Sequence, residues 1–255
     1  MSESTLPKPV PSFAEACHPG LVREENQDCV RHVSAPMGEL VIVADGIGGY
    51  RGGGTASRIV VETFASWVAA QAPNYSAPRA IAEAAAKANS KIQENAASGP
   101  PAYRQMGSTV VLTLITQGQN STMAWIGHIG DSRAYLFRDG KLQQLTEDHS
   151  LVAEMVTAGE ITSHEARTHQ LRSVLTRSLG NKQAVSPEIR ACSWSQDDLL
   201  LLCSDGLTGM VEDRDLEEIL RRHAKDLERS CEELIRAAKA MGGIDNISVI
   251  VARTD

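Results

Sequence analysis

Two stretches of this chain share one design, and they constrain strongly what it can become. Leu40-Val41-Ile42-Val43-Ala44 runs straight into Asp45-Gly46, and Leu199-Leu200-Leu201-Leu202-Cys203-Ser204 runs into Asp205-Gly206. Each apolar run has the length of a strand and no polar alternation, so it predicts a strand buried on both faces. Such a strand needs one layer above it and another below. Each run also delivers a carboxylate to its end, and the following glycine is expected to let the backbone turn sharply there. A lone Asp-Gly is ordinarily only a turn. Here, however, several aspartates sit beside apolar strand edges.

Further strands are expected at Ser108–Thr116, Thr122–His128 and Arg133–Arg138. Asp139-Gly140 is a hairpin signal that returns the chain through Lys141–Leu145. Ile247–Ala252 reads as a last β-branched strand. Thr55–Ala70 and Pro78–Ala97 read as Ala-rich helices, with Pro78 in a first turn. Leu216, Ile219 and Leu220, then Leu227, Cys231, Leu234, Ile235 and Ala238, recur at helical spacing and read as core stripes. Hairpins imply largely antiparallel sheets, and helices in sequential pairs disfavour a doubly wound parallel fold. The pattern fits an α+β class, a two-sheet sandwich covered by helices, although periodicity alone does not establish it.

No linker splits the chain, so one domain is expected over residues 11–255. The segment before it, residues 1–10, lacks an apolar core of signal-peptide type and reads as a disordered lead-in. Residues 146–185 lack a sustained period and are rich in Thr, Ser, His and Arg. They are expected to form short helices on a mobile flap.

The formal net charge of −7 repels nucleic acid and anionic membranes at long range. No apolar run is long enough to span a bilayer. Five cysteines, none spaced as Cys-x-x-Cys, argue against a disulfide framework and a zinc knuckle, and isolated thiols fit a reducing cytoplasm.

Asp28, Asp45, Asp131, Asp205 and Asp245 stand out, most of them at the end or start of an apolar strand. Carboxylates gathered at one edge of a core repel one another, and each unit of raised pKa is worth about 1.4 kcal/mol. Cations relieve that cost. Oxygen-only ligands favour Mg²⁺ or Mn²⁺ over zinc, with Ca²⁺ left open although no EF-hand loop is present. Two such ions can activate a water and neutralise a phosphate, which reconciles an acidic protein with a phosphate substrate. Arg23, just before Asn26-Gln27-Asp28, could project into the same site and grip phosphate bidentately, or could simply pair with a carboxylate.

The stretch Gly46-Ile47-Gly48-Gly49-Tyr50-Arg51-Gly52-Gly53-Gly54 fits neither a Walker A loop nor a dinucleotide fingerprint. It reads as a tight loop with a helix starting near Thr55. His128 and His149 could sit near the site, though satisfied structural histidines are the plainer reading. No Gly-x-Ser-x-Gly is present, and Cys203 ends a buried strand, so neither a serine nor a cysteine nucleophile is expected.

The ordered set Arg23-Glu24-Glu25-Asn26-Gln27-Asp28, Val43-Ala44-Asp45-Gly46-Ile47-Gly48-Gly49, Gly107-Ser108-Thr109, Gly130-Asp131-Ser132-Arg133-Ala134-Tyr135, Leu145-Thr146-Glu147-Asp148-His149-Ser150, Leu202-Cys203-Ser204-Asp205-Gly206-Leu207 and Asp245-Asn246-Ile247-Ser248 covers essentially the whole domain. With these motifs the chain resembles the bacterial branch of the PPM (PP2C-like) metal-dependent protein phosphatases. The resemblance implies a β-sandwich of two antiparallel sheets flanked by helix pairs, with a flap. It implies Mg²⁺ or Mn²⁺, two ions with a third, weaker one. Asp45 would bridge the two, Gly46 would offer its carbonyl to one, and Asp205 and Asp245 would bind the other. Asp131 with Asp205 would hold the third. Asp28 would orient metal-bound water, and Arg23 would hold the substrate phosphate.

The implied reaction is hydrolysis of phosphoserine and phosphothreonine in proteins by a metal-bridging hydroxide. The implied partners are phosphoprotein substrates and a Ser/Thr kinase whose action is reversed, in a cytoplasmic monomer. The alternatives are a catalytically idle PPM-like binding module and an unrelated phosphohydrolase of small phosphates. Two departures matter: Gln27 stands where family members often have Glu, and Ile47 stands where some carry a proton-donating His.

Overall fold

A computed structural model of the chain describes residues 11–118, 121–181 and 185–254, with only the backbone at 49–51. The expected lead-in over residues 1–10 lies outside the described residues. One sheet runs in the spatial order β1 (Pro11–His18), β11 (Ile247–Thr254), β10 (Leu199–Cys203), β7 (Arg133–Arg138) and β8 (Lys141–Gln144). The other runs β2 (Asp28–Ala35), β3 (Gly38–Ile47), β5 (Val110–Gln117), β6 (Thr122–Ile129) and β9 (Glu188–Trp194), and the short β4 (Gly107–Ser108) pairs with the end of β3. Every strand pairing is antiparallel, as the hairpin signals imply.

The helices explain why the strands lack polar alternation. Leu40, Ile42 and Ala44 face α1 (Gly49–Ala69) and α2 (Ala77–Ser98), joining Val60, Phe64, Ile81 and Ile92 in one buried cluster. Val41 and Val43 point the other way, into the gap between the sheets. There they meet Leu200, Leu202 and Ile250 of the opposite sheet. Leu199, Leu201 and Cys203 face outward to Leu216 and Leu220 of α6 (Asp213–His223) and Leu234 of α7 (Leu227–Ala240). The result is four layers: helices, sheet, sheet, helices. Both faces of Leu40–Ala44 and Leu199–Cys203 are dry, which is why these two runs lack polar residues.

Between β8 and β9 lie α3 (Leu151–Thr157) and α4 (Ser163–Thr168), the short helices expected there. This stretch is closed at its base by Leu151 N–H to the Val174 carbonyl at 2.9 Å and Thr176 N–H to the His149 carbonyl at 2.9 Å.

Two expectations are corrected. The Gly-rich stretch is not a loop ending near Thr55: β3 continues through Asp45-Gly46 to Ile47, the chain turns at Gly48 with φ 123°, and α1 begins at Gly49. The reason is close packing. A Cβ on Gly53 would lie 2.6 Å from the Gly46 carbonyl oxygen, and one on Gly46 would lie 2.1 Å from that of Gly53. Only glycine lets this helix turn approach the strand so closely, and that contact outweighs glycine's poor helix propensity. The same logic replaces the sharp turn expected after Asp205. There the chain enters a single helical turn, α5 (Asp205–Thr208), and a Cβ on Gly206 would sit 1.9 Å from the Asn246 carbonyl oxygen.

Candidate active site

Antiparallel pairing brings particular strand ends to one edge of the sandwich. Asp28 begins β2 and stands directly opposite Asp45 near the end of β3. Both share the parity of Val43 and Val30, so they point into the gap between the sheets. Cys203 at the end of β10 pairs with Val249 near the start of β11 and with Arg133 at the start of β7. Asp205, Asp245 and Asp131 therefore emerge at one end of the opposite sheet. All five aspartates are brought together, each half-buried. Asp131, Asp205, Asp245 and Arg23 line a cavity of about 1770 Å³, with Asp28 and Asp45 behind them.

The electrostatics record this crowding. Burial, and then the charges of Asp28, Asp205, Asp131 and Asp245, hold the Asp45 carboxyl well above the usual carboxylate range. Burial, reinforced by Asp205 and Asp148, does the same to Asp131. Asp205 is pushed up to about 6 by burial and Asp245, and Asp28 to about 7 by burial, against hydrogen bonds from serines. Oδ1 of Asp28 and Oδ1 of Asp205 are buried with no hydrogen-bond partner. Hard anionic oxygens, mutually repelling and partly unsatisfied, are the donor set that divalent Mg²⁺ or Mn²⁺ fits.

Arg23 takes the paired form of the two readings left open: its Nη2 donates to Asp245 Oδ2 at 2.8 Å. Gln27 does not line the large cavity. It faces a smaller one, about 450 Å³, with Asn26, Thr55, Arg58 and Tyr103.

Several residues fix this constellation. Asp45 N–H donates to Thr109 Oγ1 at 3.0 Å, and the Asp45 carbonyl accepts from Thr109 N–H at 2.9 Å and Ser108 Oγ at 2.9 Å. Thr109 Oγ1 in turn meets Ser132 Oγ, beside Asp131, at 2.8 Å. Ser204 Oγ donates to Asp28 Oδ2 at 2.8 Å. Asn246 accepts from Gln27 N–H at 2.8 Å and donates to the Pro19 carbonyl at 3.0 Å and the Glu25 carbonyl at 2.9 Å, tying down the loop that carries Arg23. Arg133 grips Asp148 through two bonds of 2.8 and 2.7 Å. Sequence reasoning assigned no role to Thr109, Asn246, Arg133 or Asp148, although each lies in a quoted motif.

His128 and His149 are buried, with ring centroids 4.3 Å apart. His128 Nε2 lies 2.7 Å from the Gly130 carbonyl, and Gly130 N–H donates to His149 Nδ1 at 3.0 Å. With Nδ1 accepting, Nε2 of His149 carries the hydrogen and donates to Glu188 at 2.9 Å. Burial pushes His128 down to about 4, so it stays neutral. His128, His149 and Glu188 lie close enough to share one cation. The Arg177 guanidinium already fills that place, 2.7 Å from the Glu188 oxygen. The two histidines are thus structural, and they hold the Gly130-Asp131 turn.

A family profile described as Protein phosphatase 2C matches residues 22–241. The chain belongs to the PP2C family. Protein phosphatase PhpP of Streptococcus pneumoniae is 36% identical to it over 233 residues, covering 90% of this chain and 92% of that one. The solved S. agalactiae serine/threonine phosphatase superposes with a TM-score of 0.88 at 31% identity, over 96% of this chain and 100% of that one. The catalytic domain of the serine/threonine protein phosphatase PstP, solved in complex with 2 manganese ions, gives a TM-score of 0.83 at 32% identity, over 96% and 99% of the two chains. This PP2C-family member has the expected sandwich of antiparallel sheets between helix pairs. Among its described residues no helix is long and apolar enough to cross a membrane.

Proposed function

We propose that this PP2C-family chain is a metal-dependent protein phosphatase that hydrolyses phosphoserine and phosphothreonine in protein substrates. The observation that carries the reading is the convergence of five carboxylates and one guanidinium at one sandwich edge, beside a cavity wide enough for a peptide segment. Asp45, Asp205 and Asp245 would hold two Mg²⁺ or Mn²⁺ ions with help from the Gly46 carbonyl, and Asp131 with Asp205 would hold a third. Bound divalent ions supply a Lewis acid that activates water and neutralises phosphate charge.

The chain's own groups do the rest. Asp28, steadied by Ser204, accepts a hydrogen bond from the attacking water and so orients it. Arg23 exchanges its contact with Asp245 for two phosphate oxygens, holding the group in line and stabilising the charge that develops on it. Ile47 cannot give a proton, so the leaving serine or threonine oxygen would take its proton from water at the site or from another group, such as a flap residue. Residues 146–185 form the flap that shapes substrate access, within one phosphatase domain over residues 11–255. An idle binding module would lack metal ligands, whereas Asp45, Asp205 and Asp245 are all present. Free thiols at all five cysteines fit a reducing cytoplasm, in which we place the chain as a monomer. There it would reverse a Ser/Thr kinase, with no role for nucleic acid or membrane insertion.

The test is turnover of an aryl phosphate with Mn²⁺, its loss on adding EDTA, and its loss in Asp45→Ala. We expect a drop of at least about 10³-fold in that variant. Wild-type activity in Asp45→Ala defeats the assignment.

A further inference from the structure

The exposed large hydrophobic side chains among the described residues are Leu21, Val22, Leu171, Val174, Met241 and Ile244. Single exposed apolar residues are ordinary on a protein surface and call for no explanation. These are not single. Leu21 and Val22 immediately precede Arg23, and Met241 and Ile244 lead into Asp245 and line the large cavity. Leu171 and Val174 bracket Arg172 and Ser173, which line it from the flap side. Leu21, Val22 and Met241 are 61%, 66% and 67% exposed, while the rest of the core-forming side chains lie almost wholly out of solvent.

The backbone under Leu21, Val22, Met241 and Ile244 is fixed rather than frayed. Leu21 N–H donates to the Gly243 carbonyl at 2.7 Å. Gly20, at φ 83°, lies so close that a Cβ there would fall 2.2 Å from the Asp245 carbonyl oxygen. Asn246 bonds the Pro19 carbonyl from the other side at 3.0 Å. Two loops are thereby stapled into one shelf, with Leu21 and Val22 on one and Met241 and Ile244 on the other.

We propose that this shelf, formed by Leu21, Val22, Met241 and Ile244, binds an apolar side chain of the phosphoprotein substrate a few residues from the phosphorylated one. The proposal rests on the phosphatase reading above. With the phosphate at Arg23, an extended substrate advances about 3.3 Å per residue, so its neighbouring side chains fall on the shelf within one or two residues. Continuity with the Arg23 site selects this occupant. A second copy of the chain does not suit the patch: four partly exposed side chains fall well short of the roughly 800 Å² per partner of a stable dimer.

The experiment uses the whole chain with Mn²⁺ and three substrates: an aryl phosphate, a phosphothreonine peptide flanked by serines, and the same peptide with leucine scanned through the flanking positions. The wild type is expected to favour the best leucine peptide by about tenfold in kcat/KM. The double variant Leu21→Ser, Met241→Ser is expected to lose that preference while its aryl phosphate turnover stays within about twofold of wild type. Met241→Leu should keep the preference, because the apolar surface remains.

Aryl phosphate turnover without a leucine preference, or a preference that survives the double substitution, overturns the shelf and leaves the phosphatase reading standing. No aryl phosphate turnover by the wild type overturns both. Sedimentation that shows a wild-type dimer dissociated by the double substitution assigns the patch to self-association and also overturns the proposal.

Discussion

Replacing Asp28 by asparagine should stabilise the metal-free protein, and more so at higher pH. In the folded chain the Asp28 carboxyl is raised from 3.8 to about 7, chiefly by burial. A raised pKa means the folded state holds the proton more tightly than the unfolded state. The resulting penalty on folding begins as pH rises past the unfolded value and is complete above the folded one. For a carboxyl titrating alone, that difference costs ~4 kcal/mol at pH 8 and ~1.7 kcal/mol at pH 5. Asp28, Asp45 and Asp205 share protons, so about half should survive.

Asp28→Asn should therefore gain about 2 kcal/mol at pH 8 and under about 1 kcal/mol at pH 5. Asparagine keeps an oxygen for Ser204 Oγ to donate to. The assay is urea unfolding in EDTA, where 2 kcal/mol should move the midpoint up by roughly 0.7–1 M. In excess Mn²⁺ the sign should reverse, because cations favour ionised neighbours. An Asp28→Asn variant that is no more stable than wild type in EDTA at pH 8 would refute the reasoning that the carboxylates repel.

Three further outcomes follow from the packing. Gly206→Ala puts a methyl group 1.9 Å from the Asn246 backbone oxygen, so thermal unfolding should show a loss of at least about 2–4 kcal/mol. A near-neutral change would disprove the close approach. Arg133→Lys swaps a two-pronged grip on Asp148 for a point charge and should cost about 1–2 kcal/mol by the same assay. His149→Ala leaves Gly130 N–H without its acceptor and should cost about 1–3 kcal/mol. It should also weaken the metal-induced rise in Tm, because the turn it releases carries Asp131, and an unchanged Tm response would count against that link.

The sandwich was legible where hydrophobicity alone decides structure. Leu199–Cys203 is bounded in the fold as it is in the sequence, because every residue in it is dry. The hairpin at Asp139-Gly140 was readable because both residues need positive φ, and they show 51° and 75°. β1, β2 and β9 escaped detection because they lie at sheet edges and mix polar with apolar residues. The glycine run was misread because its cause is a contact between Gly46 and Gly53, which no local rule registers. Among site residues, the aspartates betrayed themselves by ending apolar runs. Asn246 and Thr109 did not, since their work is to bond backbone atoms of loops distant in sequence.

The order of strands in the first sheet has a consequence for how the molecule is made. β11 lies between β1 and β10, so a chain still on the ribosome has an open slot in that sheet until residues 247–254 emerge. Asp245 and Asn246 arrive with the same segment. A chain without residues 245–254 therefore has neither a closed first sheet nor the full set of five aspartates, and both are completed by the same short segment.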